Sequence, residues 1–337
     1  MSEPAVQPSS ATPPIDRHAP SALKRLRYKV EGAILAALAW AIRVLPFRAM
    51  IALADGLAFL TYHLLRQDRR VAMANLDLAF GDAKTRAEKR RIARATFRNL
   101  CRAIVSLFWA PNLTKENIDR YVRLDADSER RVREITAAGR GILFCTPHLG
   151  NWEYASLRTG FAGFELVIVA DPSRNPAVGR KIFDLRSLSG HKIVPPQFAV
   201  LKLFRQVMRG GSTAMLVDVN GRRNRGGVWN DFFGVPVFNS VAVAELALRT
   251  KAAIVFGIGW PKADGTVDLK YYDEMPVAST GDSAADQQRV TDDITRFVEQ
   301  LVREHPELWL WTYKRWKRRP SEAKRQYPFY SKFQKVD

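Results

Sequence analysis

The stretch Ile142-Leu-Phe-Cys-Thr-Pro-His148-Leu-Gly-Asn-Trp-Glu153 sets a histidine and a carboxylate five residues apart. A neutral imidazole takes a proton from a hydroxyl near pH 7, and a carboxylate on its other nitrogen fixes the tautomer and stabilises the imidazolium. On this reading His148 is a general base and Glu153 its orienting acid. No serine or cysteine nucleophile is needed if the hydroxyl belongs to the substrate. The same spacing also suits a loop histidine that caps a helix beside a solvated Glu153, and local context has to decide between the two.

These residues need elements to position them. The apolar run from Gly141 to Cys145, bounded by Gly139 and Pro147, predicts a strand, and residues 150–157 suit a helix with Glu153 in its first turn. A helix start supplies free N–H groups and partial positive charge that favour a developing oxyanion. Further on, apolar runs (Ile142–Cys145, Leu166–Ala170, Thr213–Val217, Ala253–Ile258) alternate with helical segments at 151–160, 176–188, 198–209 and 240–250. That alternation predicts an α/β fold, a mostly parallel central sheet flanked by helices with site residues at strand ends. Residues 291–303 read as a last amphipathic helix.

The serine-hydrolase elbow, the Walker A loop, H-E-x-x-H, paired C-x-x-C units and a glycine-rich dinucleotide fingerprint do not occur. The commonest nucleotide, zinc and serine-nucleophile chemistries are thereby set aside. At 337 residues, 47% apolar and a net charge of +19, the chain suits one catalytic domain with an appendage and a polyanionic partner or surface. Its two cysteines, Cys101 and Cys145, sit in apolar contexts and suggest no disulfide framework.

The block His148-Leu-Gly-Asn-Trp-Glu153 resembles the H-x4-[DE] signature of the glycerolipid acyltransferase superfamily, and most closely its lipid A biosynthesis (late) acyltransferases of lauroyl/myristoyl type. Val71-Ala-Met-Ala-Asn75-Leu-Asp-Leu-Ala-Phe80, Asp218-Val-Asn220, Asn230-Asp-Phe-Phe-Gly234 and the Trp-rich Pro306–Pro320 segment resemble that family's other blocks, in the same order. Val219 departs from the polar residue frequent there, and Asn220 stands where many relatives carry Asp. The resemblance implies a membrane-associated enzyme that moves a fatty acyl chain from a thioester to a hydroxyl of a lipid A precursor. The thioester would be that of acyl carrier protein or acyl-coenzyme A. A lysophospholipid or another glycolipid is the alternative acceptor. The resemblance further implies the glycerolipid acyltransferase fold, no metal, no cofactor beyond the thioester, and a bacterial inner-membrane location with catalysis on the cytoplasmic face. Carried over by position, Arg186 would clamp a phosphate or steady the oxyanion, and Asp218 would order Arg186 or the acceptor sugar. Asn151, inside the histidine block, is a further substrate-contact candidate. The loop residues Arg222, Arg223 and Arg225 read as a grip for sugar or lipid phosphates.

Around this core, residues 1–24 read as a disordered leader, 25–66 as a membrane-anchoring helical region, 67–320 as the acyltransferase domain and 321–337 as a basic tail. The runs within Val30–Leu65 fall short of the about 20 apolar residues of a spanning helix, so a membrane-embedded hairpin or interfacial anchor is expected, with one tilted span or two ordinary core helices as alternatives. Arg86, Arg90, Arg94, Arg98 and Arg102 form a helical ladder suited to solvent, to anionic lipid or to an acidic carrier protein. Lys314, Arg315, Lys317, Arg318 and Arg319, interleaved with Trp309, Trp311 and Trp316, read as a headgroup-binding surface. The same interleaving would suit a non-enzymatic polyanion binder, but no nucleic-acid-binding module accompanies it, and no nucleic-acid partner is expected.

Overall fold

The apolar runs become strands of a seven-stranded sheet in a computed structural model that describes residues 21–170, 173, 175–196, 199–221, 226–323 and 325–333. The chain begins with α1 (Ala22–Arg43), α2 (Phe47–Leu64), α3 (Arg66–Phe80) and α4 (Arg86–Trp109). β1 (Val122–Leu124), α5 (Ala126–Ala137), β2 (Ile142–Thr146), α6 (Trp152–Phe161), β3 (Leu166–Val169), α7 (Pro176–Arg186), β4 (Lys192–Val194), α8 (Ala199–Met208) and β5 (Ser212–Leu216) follow. The remainder is the hairpin β6 (Val228–Phe232) and β7 (Val235–Asn239), α9 (Ala242–Thr250), β8 (Ala253–Pro261), β9 (Val267–Tyr271), α10 (Ser283–Glu304) and a short strand pair, β10 (Arg318–Arg319) and β11 (Lys332–Phe333).

Strand order is β1-β9-β8-β2-β5-β3-β4, parallel throughout except where β8 and β9 run antiparallel. The expected mostly parallel α/β sheet is what forms. Helices cover both faces, so β2 is buried at every position from Ile142 to Cys145. Alternate residues feed opposite layers: Leu143 and Cys145 pack with Ile254 and Phe256 on one side, Ile142 and Phe144 with Val255 and Tyr154 on the other. The last long helix begins at Ser283, earlier than its apolar periodicity suggests, because Asp282 caps the free N–H groups of Ala284 and Ala285.

The N-terminal helices pack against the rest of the protein. α2 buries Met50, Ile51, Ala54, Ala58 and Tyr62 and packs along α4, whereas α1 rests on α4 and α7. Among the described residues no single helix is long and apolar enough to cross a membrane, and only α2 together with the following helical segment, bent by 86°, passes that test as a pair. α1 nevertheless exposes Leu23, Leu26, Val30, Ile34, Leu38 and Trp40, and α2 exposes Phe59, Leu60 and Leu64.

The headgroup reading of the Trp-rich segment is corrected for its tryptophans and Arg315, which are buried, while Lys314 and Lys317 stay exposed. Trp309, Trp311 and Trp316 are at most 1% exposed and Arg315 is 2% exposed. The indoles pack against Phe232, Phe233 and Phe80, and Asn75 of α3 donates to the carbonyls of Trp311 and Tyr313 at 2.7 and 2.8 Å. Aromatic area that large contributes more in a core than at a wet surface. Phe233 and Gly234, both with positive φ, make the tight turn joining β6 to β7, which explains the glycine of the Phe-Phe-Gly block.

Candidate active site

The register of two neighbouring strands brings the site together. β2 and β5 are parallel partners with Thr146 opposite Leu216, and each chain runs two residues further, to His148 and to Asp218. Side chains 70 residues apart in sequence thus meet at the carboxyl ends of adjacent strands. Nδ1 of His148 donates to Oδ1 of Asp218 at 2.9 Å, while Oδ2 accepts from the His148 backbone N–H and from Nε1 of Trp309, each at 2.9 Å. With Nδ1 so engaged, the proton-accepting nitrogen is Nε2. Trp152 meets the ring edge-on at 5.1 Å and Tyr313 lies nearly parallel to it at 6.4 Å.

Glu153 is therefore not the carboxylate on His148, which corrects the expected pairing. It stands in the first turn of α6 and faces Arg186, the last residue of α7: Nε of Arg186 donates to Oε2 at 3.0 Å and Nη2 to Oε1. Asp218, expected to order Arg186 or the acceptor, instead orders the histidine. Asn151 is also reassigned: it is buried, its Oδ1 caps α6 by accepting from the Tyr154 N–H at 3.0 Å, and its Nδ2 turns toward Ser106. Arg222, Arg223 and Arg225 lie outside the described residues.

The loop carrying His148 is clamped from three sides. Asn99 of α4 donates to the carbonyls of Gly150 and Leu308, both at 2.9 Å, the Leu310 N–H donates to the His148 carbonyl at 3.0 Å, and the Asn151 N–H donates to the Gly259 carbonyl at 2.9 Å. Gly150 adopts φ +66°, and a Cβ there would lie 2.1 Å from the Gly259 oxygen, so the loop can pass only as glycine. Asn99, Trp309 and Tyr313 escaped the sequence reading as site residues. A polar Asn99 on the buried side of α4 was the available signal for the first; Trp309 and Tyr313 lie in the Trp-rich block, whose basic residues pointed to a surface instead of to the histidine.

Electrostatics follow from this geometry. Burial opposes an imidazolium at His148, but the charge and hydrogen bond of Asp218, aided by Glu153 and opposed by Arg186, raise its pKa above the usual histidine value. Burial would raise the pKa of Asp218; the charge and hydrogen bond of His148, its backbone N–H and the Trp309 indole outweigh this and hold it below the ordinary carboxylate value. Burial lowers the proton affinity of Arg186, and the charge of Glu153 more than restores it. The Arg186 side chain remains 28% exposed while Glu153 is 8% exposed, so the cation, not the carboxylate, is open to a ligand.

An α/β sheet that ends in a histidine–carboxylate pair, beside a carboxylate-held arginine, is a site for proton removal next to an anion. A model of the bacterial lipid A biosynthesis acyltransferase family matches residues 19–318, and the chain belongs to that family. It is 29% identical over 195 residues to a phosphatidylinositol mannoside acyltransferase of Mycobacterium tuberculosis, covering 56% of this chain and 58% of the relative. A protein of the same name from Mycolicibacterium smegmatis is 27% identical over 51% of this chain and 55% of its own length. Lipid A biosynthesis acyltransferase 2 of Shigella flexneri is 22% identical over 79% of this chain and 82% of its own length. The match thus spans little more than half the length of the mannoside acyltransferases.

Proposed function

We propose that this protein transfers a fatty acyl chain from an acyl thioester to a hydroxyl of an anionic glycolipid, with a lipid A precursor as the first candidate acceptor. The observation that carries the reading is the His148–Asp218 pair at the ends of β2 and β5, in a chain of this family. Nε2 of His148 takes the proton of the acceptor hydroxyl as its oxygen bonds to the thioester carbonyl carbon. Asp218 holds the resulting imidazolium. The tetrahedral intermediate collapses with cleavage of the C–S bond, and the leaving sulfur takes the proton back from His148. Arg186, steadied by Glu153, is placed to bind a phosphate of the acceptor or the developing oxyanion. The donor is acyl carrier protein or acyl-coenzyme A; an acidic carrier would suit Arg86, Arg90, Arg94 and Arg98, which are exposed on α4, whereas Arg102 is engaged by Asp55 at 2.6 Å.

The same proposal places the protein on the cytoplasmic face of a bacterial inner membrane. Leu23, Leu26, Val30, Ile34 and Leu38 recur every three or four residues along α1, exposed beside Lys24, Arg25 and Lys29. That is the pattern of a helix lying in the headgroup plane. A phosphatidylinositol mannoside-like glycolipid is the second reading of the acceptor, favoured by the mycobacterial relatives. Purified protein supplied with an acyl thioester and, in turn, an underacylated lipid A precursor, a phosphatidylinositol mannoside and a lysophospholipid separates these readings. The lipid A precursor is expected to gain the mass of one acyl chain; acylation of the lysophospholipid alone would reject the glycolipid assignment.

A further inference from the structure

The helix that carries Arg186 at one end is held at the other by α1. Asn175, 4% exposed, caps α7: its Oδ1 accepts from the Ala177 N–H at 3.0 Å. Its Nδ2 leaves α7 altogether, donating to the Tyr28 carbonyl and to Oε2 of Glu31, both at 3.0 Å. A serine or aspartate would cap the helix equally well, and only an amide adds two donors to the cap. The contact is close as well as polar. A Cβ on Gly32 would lie 3.2 Å from Cβ of Ala177, so the backbone of α1 meets the first turn of α7 with a single methyl group between them.

α1 has a face for this contact. Tyr28, Glu31, Gly32, Leu35 and Ala39 recur at helical spacing and form its partly or fully buried side, whereas Leu23, Leu26, Val30, Ile34 and Leu38 face outward. Glu31 is the only acidic residue of α1, in a helix whose outer side suits anionic headgroups. It serves the inner contact, its carboxylate shared between Nε of Arg27 at 2.6 Å and Asn175. From Asn175 to Arg186 is about 16 Å of helix. The far end is tied again, by Nε of Arg186 to Oε2 of Glu153 at 3.0 Å. α7 is thus a strut between the helix assigned to the membrane surface and the guanidinium assigned to the acceptor.

We infer that Asn175 is a positioning residue: it fastens α7 to α1 and so sets Arg186 at the depth where the phosphate of a membrane-held acceptor is presented, given that Arg186 is the phosphate-binding cation proposed above. α1 is then part of acceptor recognition as well as a membrane contact.

Asn175→Ser in the full chain keeps the cap and removes both bonds to α1, and Gly32→Val forces the same helices apart at a different atom. Each variant, checked for folding by Tm, is expected to raise the KM for a lipid A precursor about tenfold, the size of one net hydrogen bond. The donor KM and flotation with vesicles containing anionic lipid should stay near wild type, which a general loosening of the fold would not spare. A cross-link then replaces what Asn175 supplied. With Gly32→Cys and Ala177→Cys added to Asn175→Ser, the Cβ spacing is close to that of a disulfide, so oxidation should return the acceptor KM to near wild type and a reductant should raise it again. In parallel, the Nε–H signal of Arg186 in NMR, assigned by its loss in Arg186→Lys, should move in Asn175→Ser and return on oxidation of the cross-linked form. An unchanged acceptor KM in both folded variants, or a raised KM that the closed cross-link does not lower, would overturn the inference. Absence of acyl transfer in wild type together with a displaced Arg186 signal in Asn175→Ser would instead reject the functional reading and leave the α1–α7 coupling standing.

Discussion

Replacing Asp218 with asparagine should do more harm than replacing Glu153 with glutamine, and the hydrogen bonds say by how much. The Asp218 carboxylate accepts from the His148 N–H and the Trp309 indole through Oδ2 and from Nδ1 through Oδ1. An asparagine keeps its one oxygen where two donors converge, so its amide N–H groups face Nδ1. Nδ1 must then accept, the proton moves to Nε2, and the nitrogen meant to receive the acceptor's proton already carries one. A reversed tautomer of this kind costs about 10⁴ in kcat, equivalent to about 5.5 kcal/mol. Glu153→Gln leaves the hydrogen bonds of that pair in place and loses part of a charge-assisted bond to Arg186, about 1.5–3 kcal/mol or roughly a 10- to 150-fold loss. Steady-state acyl transfer by both variants, with circular dichroism as the folding control, measures the two. A larger loss in folded Glu153→Gln than in folded Asp218→Asn would refute the assignment of Asp218 as the orienting carboxylate.

Three further outcomes follow from the same structure. Because Asp218 raises the pKa of His148, and the base works only unprotonated, the acid limb of kcat/KM should lie above the ordinary histidine value of about 6.5; a limb at or below that value would contradict the coupling. Gly150→Ala should lower stability by at least about 1–3 kcal/mol from its left-handed φ alone, with the close Gly259 oxygen adding to it, read as a drop in Tm; an unchanged Tm would show that the loop is not held as described. Replacing Leu38, Trp40 and Phe59 together with serine should weaken flotation with vesicles containing anionic lipid while leaving Tm nearly unchanged, since all three are exposed; undiminished flotation would remove these helices from the membrane contact.

Four strands of the sheet, β2, β3, β5 and β8, were legible from the sequence because buried strands are continuous apolar runs, whereas β1, β4 and β9 are too short or too mixed with charge to show that run; His148 was legible because its strand ends abruptly at Pro147. The partner of His148 was not. Glu153 is five residues away and Asp218 seventy, and local spacing favours the nearer carboxylate, whereas the register of β2 on β5 selects the farther one. The first turn of α6 turns Glu153 toward Arg186 instead. The Trp-rich tail misled for a related reason: alternating aromatic and basic residues look alike at a bilayer surface and in a core, and only the packing of Phe80, Phe232 and Phe233 against the indoles distinguishes them. Asn75 was visible as part of a family block, yet its function as a clamp on the Trp311 and Tyr313 carbonyls depends on a segment more than 230 residues away.

The central claim is that His148, held by Asp218, removes the proton from a lipid hydroxyl. Its most direct test is the turnover of purified His148→Ala on a glycolipid acceptor with an acyl thioester donor, followed by the acceptor's gain of one acyl mass and set against wild type under the same conditions. A folded variant whose rate falls by about 10²–10⁴ is the expected result. A folded variant that acylates the acceptor within a few-fold of wild type would contradict it.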